Sequence, residues 1–303
     1  MTNPRTEPRT RPRVQLREFE TTVLASLYEH RLLTTTQIQR LHDPGSHRRW
    51  TQKRLRELEQ AGYITRASGP PPGREARWFL TGMGATLAEA AGDVRTRDFR
   101  MDAHRAVTGV ARHLLAVNDI GVALTAAARR FGDEFDHRSW RHEVAHDCGP
   151  AATDVLIADA VLTYDVWDAQ DVSSQWRFLE LDRGTQSVHT LVEKLRAYAA
   201  LHDYAPSRRK DTSHLPRTGW RRLYAAFPGV LFVLADQAPD EVDRRLTSLA
   251  GFVATDPVLT RADKLRITAT SLRELTDQGP FAPVFRRIPS LERVPLHRRR
   301  QRP

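Results

Sequence analysis

Apolar positions along the first ninety residues recur with a helical period and then switch to a two-residue period. Over residues 14–30, Val14, Phe19, Val23, Leu24 and Leu27 fall near one helical face. A shorter helix is predicted after the threonines at 34–36, one of which caps it, with Ile38 and Leu41 turned inward. Asp43-Pro44-Gly45 breaks that helix. Ser46 is the expected cap of a third helix, which stops at Gly62. The segment 63–81, YITRASGPPPGREARWFLT, reads as two short strands around a Gly/Pro-rich loop, and 81–91 as a closing helix.

The pattern then changes. Residues 103–131 predict one long amphipathic helix with Val107, Val110, Leu114, Val117, Val122 and Leu124 toward a core. VLIADAVLTYDVW (155–167) and WRFLEL (176–181) read as strands, joined as a hairpin through turn residues in 168–175. Ser187 is placed to cap the helix VHTLVEKLRAYAALH. GVLFVLAD (229–236) is a continuous apolar run, as a strand buried on both faces would be. A helix over 239–254 and a short strand near 265–270 follow. This order predicts an α/β domain, a mixed sheet flanked by helices, in a chain that is α+β overall. The expected organisation is a disordered basic arm (1–13), a winged-helix domain (14–92), a linker (93–103), the α/β domain (104–288) and a basic tail (289–303). The basic stretch 205–221 is expected as a loop.

The third helix has two faces. Thr51, Leu55 and Leu58 follow the spacing of a core stripe. Arg49, Gln52, Lys53 and Arg56 lie roughly opposite, at about 100° per residue. A basic, amide-bearing stripe opposite the core suits a helix in the major groove of double-stranded DNA. Arg66, Arg74 and Arg77 on the hairpin are then available for phosphates. The order of helix, short helix, basic helix and hairpin resembles many bacterial winged-helix proteins. That resemblance implies DNA binding and, in many members, a homodimer.

Charge agrees with this picture. The 303 residues carry a formal net charge of +10, which favours an anionic partner, nucleic acid before membrane. A single cysteine, Cys148, excludes an internal disulfide framework and fits a reducing cytoplasm. The apolar run near 229–235 is too short to span a bilayer, and the N-terminal segment lacks the apolar core of a signal peptide, so no membrane partner is expected.

Candidate chemistry concentrates in 176–198, WRFLELDRGTQSVHTLVEKLRAY. Phe178, Glu180 and Asp182 share one face of the second strand. Asp159 lies mid-strand among apolar residues, where an acid is costly unless paired, hydrated or metal-bound. Lysine occurs only four times among the 47 basic residues, at Lys53, Lys194, Lys210 and Lys264. Lys194, one turn before Tyr198, follows the two strand-end acids. If the strands are adjacent, Asp159, Glu180 and Asp182 converge on one Mg2+ or Mn2+ ion, the kit of a phosphodiester-cutting site. The other arrangement open to these residues is a buried Asp182–Lys194 salt bridge in a non-catalytic fold.

The blocks ADAVL, FLELDRGT and EKLRAY behind a winged helix resemble the replication-relaxation family of actinobacterial plasmids and conjugative elements. Ala158 stands where the family usually has proline. That family is in turn similar to the PD-(D/E)XK nucleases, which implies a restriction-endonuclease-like fold, with Asp159 as first acid and Glu180 as second. The nuclease lysine two residues after the second acid is Asp182 here, and Lys194 would substitute from the helix, with Tyr198 orienting it. The resemblance implies a role in plasmid replication, relaxation or conjugative transfer, with relaxosome or replication proteins as partners. A winged-helix transcriptional regulator with a non-catalytic assembly domain is the alternative.

His142-Glu143-Val144-Ala145-His146 matches the HExxH string of zinc peptidases. Gly149-Pro150 follows almost at once, and no third ligand motif appears downstream. As a strand, the segment would set the two histidines about 13 Å apart. No zinc is therefore expected, and the peptidase stands as a second alternative.

Overall fold

The computed structural model describes residues 16–68, 75–92, 94, 100–168, 171–205 and 219–297. The chain divides into two compact units, 1–115 and 116–303. The expected N-terminal arm, most of the 93–103 linker, most of the 205–221 loop and residues 298–303 lie outside the described residues.

The first unit runs α1 (Glu18–His30), β1 (Leu33–Thr34), α2 (Thr35–His42), α3 (Arg48–Gln60), β2 (Ile64–Ser68), β3 (Ala76–Leu80) and α4 (Gly82–Ala90). Its three strands form an antiparallel sheet in the order β1-β3-β2. Thr34 starts α2 through a reciprocal cap. Its hydroxyl accepts from the Gln37 N–H at 3.1 Å, and the Gln37 side chain accepts from the Thr34 N–H at 3.0 Å. The cap of α3 is His47 rather than Ser46; the His47 Nδ1 accepts from the Arg49 N–H at 3.2 Å. Leu27, Tyr28, Leu33, Ile38, Leu55, Leu58, Ile64 and Trp78 are buried. Gly84 lets α4 approach the start of the hairpin, because a Cβ there would meet the Tyr63 carbonyl oxygen at 1.9 Å.

Helix α5 (Gly109–Phe131) begins later than the pattern suggested, after a short turn at Arg105–Val107. Val107 and Val110 are exposed, whereas Leu114, Val117, Val122 and Leu124 are buried. The helix is long and apolar enough to cross a membrane by length and composition alone, with 56% of its most apolar window buried inside the protein. The core helix of a packed domain has the same character.

The second unit continues with β4 (Trp140–Asp147), β5 (Val155–Asp168), β6 (Asp171–Asp182), α6 (Val188–Asp203), β7 (Gly229–Leu234), α7 (Pro239–Thr255), β8 (Thr268–Ser271), α8 (Leu272–Gln278), β9 (Phe285–Arg287) and β10 (Arg293–Val294). The seven strands form one mixed sheet, ordered β10-β9-β8-β7-β6-β5-β4. β5 is antiparallel to β4 and β6, and β6, β7 and β8 are mutually parallel. One reversed strand stands second in a five-strand run, and the sheet is mixed in a chain that is α+β overall, as the sequence predicts. The β5–β6 hairpin is longer than expected, its strands pairing out to Asp168 and Asp171. Residues 289–297, expected as tail, contain β10 and bury Val294, Leu296 and His297.

One face of the sheet packs on α6 and α7 through Phe178, Phe232, Leu195, Tyr198, Leu246 and Leu249. α5 lies against β4, where Asn118 Oδ1 accepts from the Trp140 indole N–H at 3.3 Å. Gly121 permits that contact, since a Cβ would stand 2.5 Å from the Trp140 ring.

Candidate functional site

The basic surface of α3 sorts itself by ion pairing. Arg48 is bound by Glu75 at 2.8 Å. Arg54 reaches both Glu20 and Glu57 at 2.5 Å. Arg49, Lys53 and Arg56 are exposed, and among the described residues none has an ion pair or side-chain hydrogen bond. Gln52 is half-buried beside them. These three cations stand one and two turns apart on one face, opposite Thr51, Leu55 and Leu58, which are buried.

The hairpin contributes less than its sequence promised. Arg66 is exposed but pairs with Glu59 at 3.3 Å and lies over the Trp78 ring, 5.4 Å from its centroid. Arg77 is turned inward, at 7% exposure, and donates to the Ala106 carbonyl at 2.9 Å. Burial, and secondarily the nearby Arg112, holds its pKa below the usual arginine value. Arg77 is a structural residue and cannot reach a phosphate. A two-residue period cannot show this, because the inward face of β3 is the one that carries it. Arg74 lies outside the described residues.

In the second unit, the five residues singled out on the strands and helix divide into two groups. Glu180, Lys194 and Tyr198 meet. Lys194 Nζ donates to Glu180 Oε2 and the Tyr198 hydroxyl donates to Oε1, each at 2.5 Å. Glu180 and Tyr198 are fully buried, while the Lys194 side chain keeps 26% of its exposure. Asp159, half-buried, accepts from the Leu181 N–H at 2.8 Å.

That bond replaces a missing piece of the sheet. The β4–β5 ladder pairs His142 with Ala160 and Val144 with Ala158, skipping Glu143 and Asp159 between them. The β5–β6 ladder stops at Ala160–Leu179. Leu156, Ala158 and Val161 all face the α6–α7 core, so the alternation of β5 slips by one residue near Asp159. Glu143 has φ +49°, in the left-handed region, and at this level the side chains of β4 exchange faces while the strand keeps its register. A local break of this kind re-aims side chains, and here it presents the Asp159 carboxylate toward β6 and its buried glutamate.

The electrostatics follow. Burial, and then the like charge of Asp159, push Glu180 up to about 7 against the pull of Lys194 and Tyr198. Burial pulls Lys194 down, but Glu180 and Asp159 outweigh it and hold its pKa above the usual lysine value. Burial and Glu180 raise Tyr198 well above an ordinary phenol. The cluster therefore keeps Lys194 cationic and lets Glu180 exchange a proton near neutrality.

Asp182 is not part of this cluster, and the Asp182–Lys194 bridge does not form. Arg245 on α7 takes the Asp182 carboxylate, with Nε at 2.6 Å and a second nitrogen at 2.5 Å. The other Asp182 oxygen accepts from the Gly184 N–H at 3.0 Å. Arg183 pairs with Asp236 at 2.6 Å. The three-carboxylate metal shell is thus not assembled, and among the described residues no three His, Cys, Asp or Glu side chains are gathered to hold an ion. Both Glu180 oxygens are occupied by side-chain donors, so the arrangement does not fit a divalent cation as it stands. No local spacing in the sequence links Arg245 to Asp182, because it lies 63 residues downstream on a helix that carries two arginines, Arg244 and Arg245.

HEVAH lies within β4. His142 bonds Asn118 of α5 at 2.9 Å, whereas His146 bonds the Tyr224 hydroxyl at 2.8 Å and packs on Phe178. The reversal at Glu143 sends the two rings to opposite faces of the sheet. They cannot share a zinc ion, which removes the peptidase alternative.

A small helix-and-hairpin unit whose basic helix face is unpaired among the described residues, and a mixed-sheet unit with a buried Glu-Lys-Tyr cluster, define a two-part α+β protein. A family model described as replication-relaxation matches residues 24–215. The chain belongs to the replication-relaxation family. No curated protein and no solved structure matches it.

Proposed function

We propose that the protein binds double-stranded DNA through α3 and acts in the replication or relaxation of plasmid DNA. The observation that carries this reading is the selective pairing on α3. Arg48 and Arg54 are neutralised by acids of their own unit, while Arg49, Lys53 and Arg56 are left on one exposed face. Unpaired cations on one helix face release counterions when they meet phosphates, which is the source of affinity in such complexes. Family membership supplies the process, plasmid replication or relaxation. Conjugative transfer, a cytoplasmic setting, homodimerisation, and replication or relaxosome proteins as neighbours on the DNA belong to the same reading. The test is duplex binding by the full chain and by an Arg49→Ala/Lys53→Ala/Arg56→Ala variant that retains its fold. Binding by the variant is expected to fall by about two orders of magnitude at physiological salt. Equal affinity overturns the assignment.

A second reading, DNA cleavage by the second unit, is favoured by one observation. Asp159 and Lys194 keep partial exposure near buried Glu180, at a break in the sheet. Metal binding by Asp159 and Glu180 would require Lys194 or Tyr198 to give up its bond to Glu180. Nicking of supercoiled plasmid in Mg2+ or Mn2+, lost in Asp159→Asn with DNA binding intact, supports cleavage. Absence of nicking, or equal nicking by the variant, leaves DNA binding as the function.

A further inference from the structure

We infer that Trp50 reads a base: its indole ring packs on the 5-methyl group of a thymine in the major groove. This rests on the DNA-binding reading of α3 and adds a specificity residue that the basic stripe does not contain.

Trp50 is the third residue of α3, and 41% of it is exposed. In the core of the same unit, Trp78 is buried and its indole N–H donates to the Thr35 hydroxyl at 2.9 Å. Trp50 has no such bond among the described residues. Yet its ring is braced. Phe19 of α1 meets it edge-on, with centroids 4.8 Å apart and planes at 70°, and Phe19 is itself set edge-on to His42 at 6.5 Å. A braced aromatic ring loses little freedom on contact, so its contact area converts into affinity at small entropic cost.

Position selects the occupant. Trp50 lies about 60° around the helix from Lys53 and about 100° from Arg49, at the border of the unpaired cationic stripe. In helices that enter the major groove, the N-terminal residues are those that reach base edges. The thymine methyl is the one apolar feature that this groove presents. The flanking cations favour a polyanion over a second copy of a chain whose own net charge is +10.

The experiment uses the full chain and a duplex that it selects from a random pool. Each thymine of that duplex is replaced in turn by deoxyuridine, which removes only the methyl group. Wild type is expected to lose about threefold to tenfold in affinity at one or two positions under α3, the scale of one buried methyl. Trp50→Ala is expected to bind more weakly and to be indifferent at those positions, while Trp50→Phe retains part of the preference. Thermal melting of both variants separates loss of fold from loss of contact, and Trp50→Phe keeps the test valid should Trp50→Ala melt early. A selected site without methyl sensitivity, or the same sensitivity in wild type and variants, overturns the inference. So does a variant whose self-association changes while its DNA preference does not. Selection of no duplex by wild type overturns the DNA-binding reading itself, which is a different result.

Discussion

Arg245 on α7 closes over Asp182 at the end of β6, with Nε 2.6 Å from Oδ2 and a terminal guanidinium nitrogen 2.5 Å from the same oxygen. Both side chains are withdrawn from solvent, Asp182 to 2% and Arg245 to 14% exposure. The same guanidinium also donates to the Gln186 carbonyl, and Asp182 holds the Gly184 N–H. The most distinctive block of the sequence, LDRGT, is therefore an architectural clasp that ties the end of β6 to α7 and sets the turn into α6.

The clasp predicts a large stability effect without a direct chemical one. Arg245→Ala leaves a buried carboxylate unpaired, and unfolding of the second unit in urea is expected to cost about 3–5 kcal/mol less. Gly184→Ala should also destabilise, by about 1 kcal/mol or more, since Gly184 has φ +75° and a Cβ would press on Gln237. If Arg245→Ala unfolds at the wild-type midpoint, Asp182 is stabilised by something other than this pair.

Much of this was legible in the chain and some was not. The caps at Thr34 and Ser187, the core stripe Thr51-Leu55-Leu58 and the buried strand of β7 follow from local patterns, because cap chemistry and periodicity act within a few residues. The sequence brings Lys194 toward the strand-end acids, and the structure gives it Glu180 as partner rather than Asp182, with Tyr198 donating to the same carboxylate. The partner of Asp182 was not legible, because the acid two positions beyond Glu180 shares its face but lies under a different helix. HEVAH lies on a strand that keeps its two histidines apart, as its context indicates. Arg77 is not legible in the same way, because an inward-turned arginine is a tertiary fact that leaves the local hydrophobic period unaltered.

Glu180 makes the second unit pH-sensitive in a stated direction. Its carboxyl lies at about 7 in the folded chain against 4.5 unperturbed. A raised carboxyl binds its proton more tightly when folded, so its contribution is complete below about 4.5 and is lost as pH rises through about 7. Urea midpoints should therefore fall across this window, and Glu180→Gln should flatten that part of the curve. Asp159→Asn removes a like charge and should lower the Glu180 titration, read by carboxyl NMR. A Glu180 titration that stays near 4.5, or is indifferent to Asp159→Asn, contradicts the electrostatic account.

Lys194 and the neutral state of Glu180 are linked. Lys194→Met removes the cation that opposes burial and should drive the Glu180 titration higher still, with Tyr198 continuing to donate to Oε1. The expected outcome is a folded protein in which Glu180 remains protonated across neutrality. A downward shift would mean that Lys194 does not face the carboxylate in solution.

The two arginines of the hairpin should separate cleanly in salt titrations of DNA binding. Each phosphate contact contributes about 0.9 to the slope of log affinity against log salt. The Arg49/Lys53/Arg56 triple variant should therefore lose about 2–3 from that slope. Arg77→Ala should leave the slope unchanged, because its guanidinium is buried and donates to the Ala106 carbonyl. It should instead lower the stability of the first unit by about 1–3 kcal/mol, the cost of an orphaned buried acceptor together with lost packing. Arg66, half shielded by Glu59 and the Trp78 ring, should fall between them, with a slope change of less than one contact. An Arg77→Ala variant with wild-type stability and a reduced salt slope would return that residue to the DNA surface and contradict the packing of β3 described above.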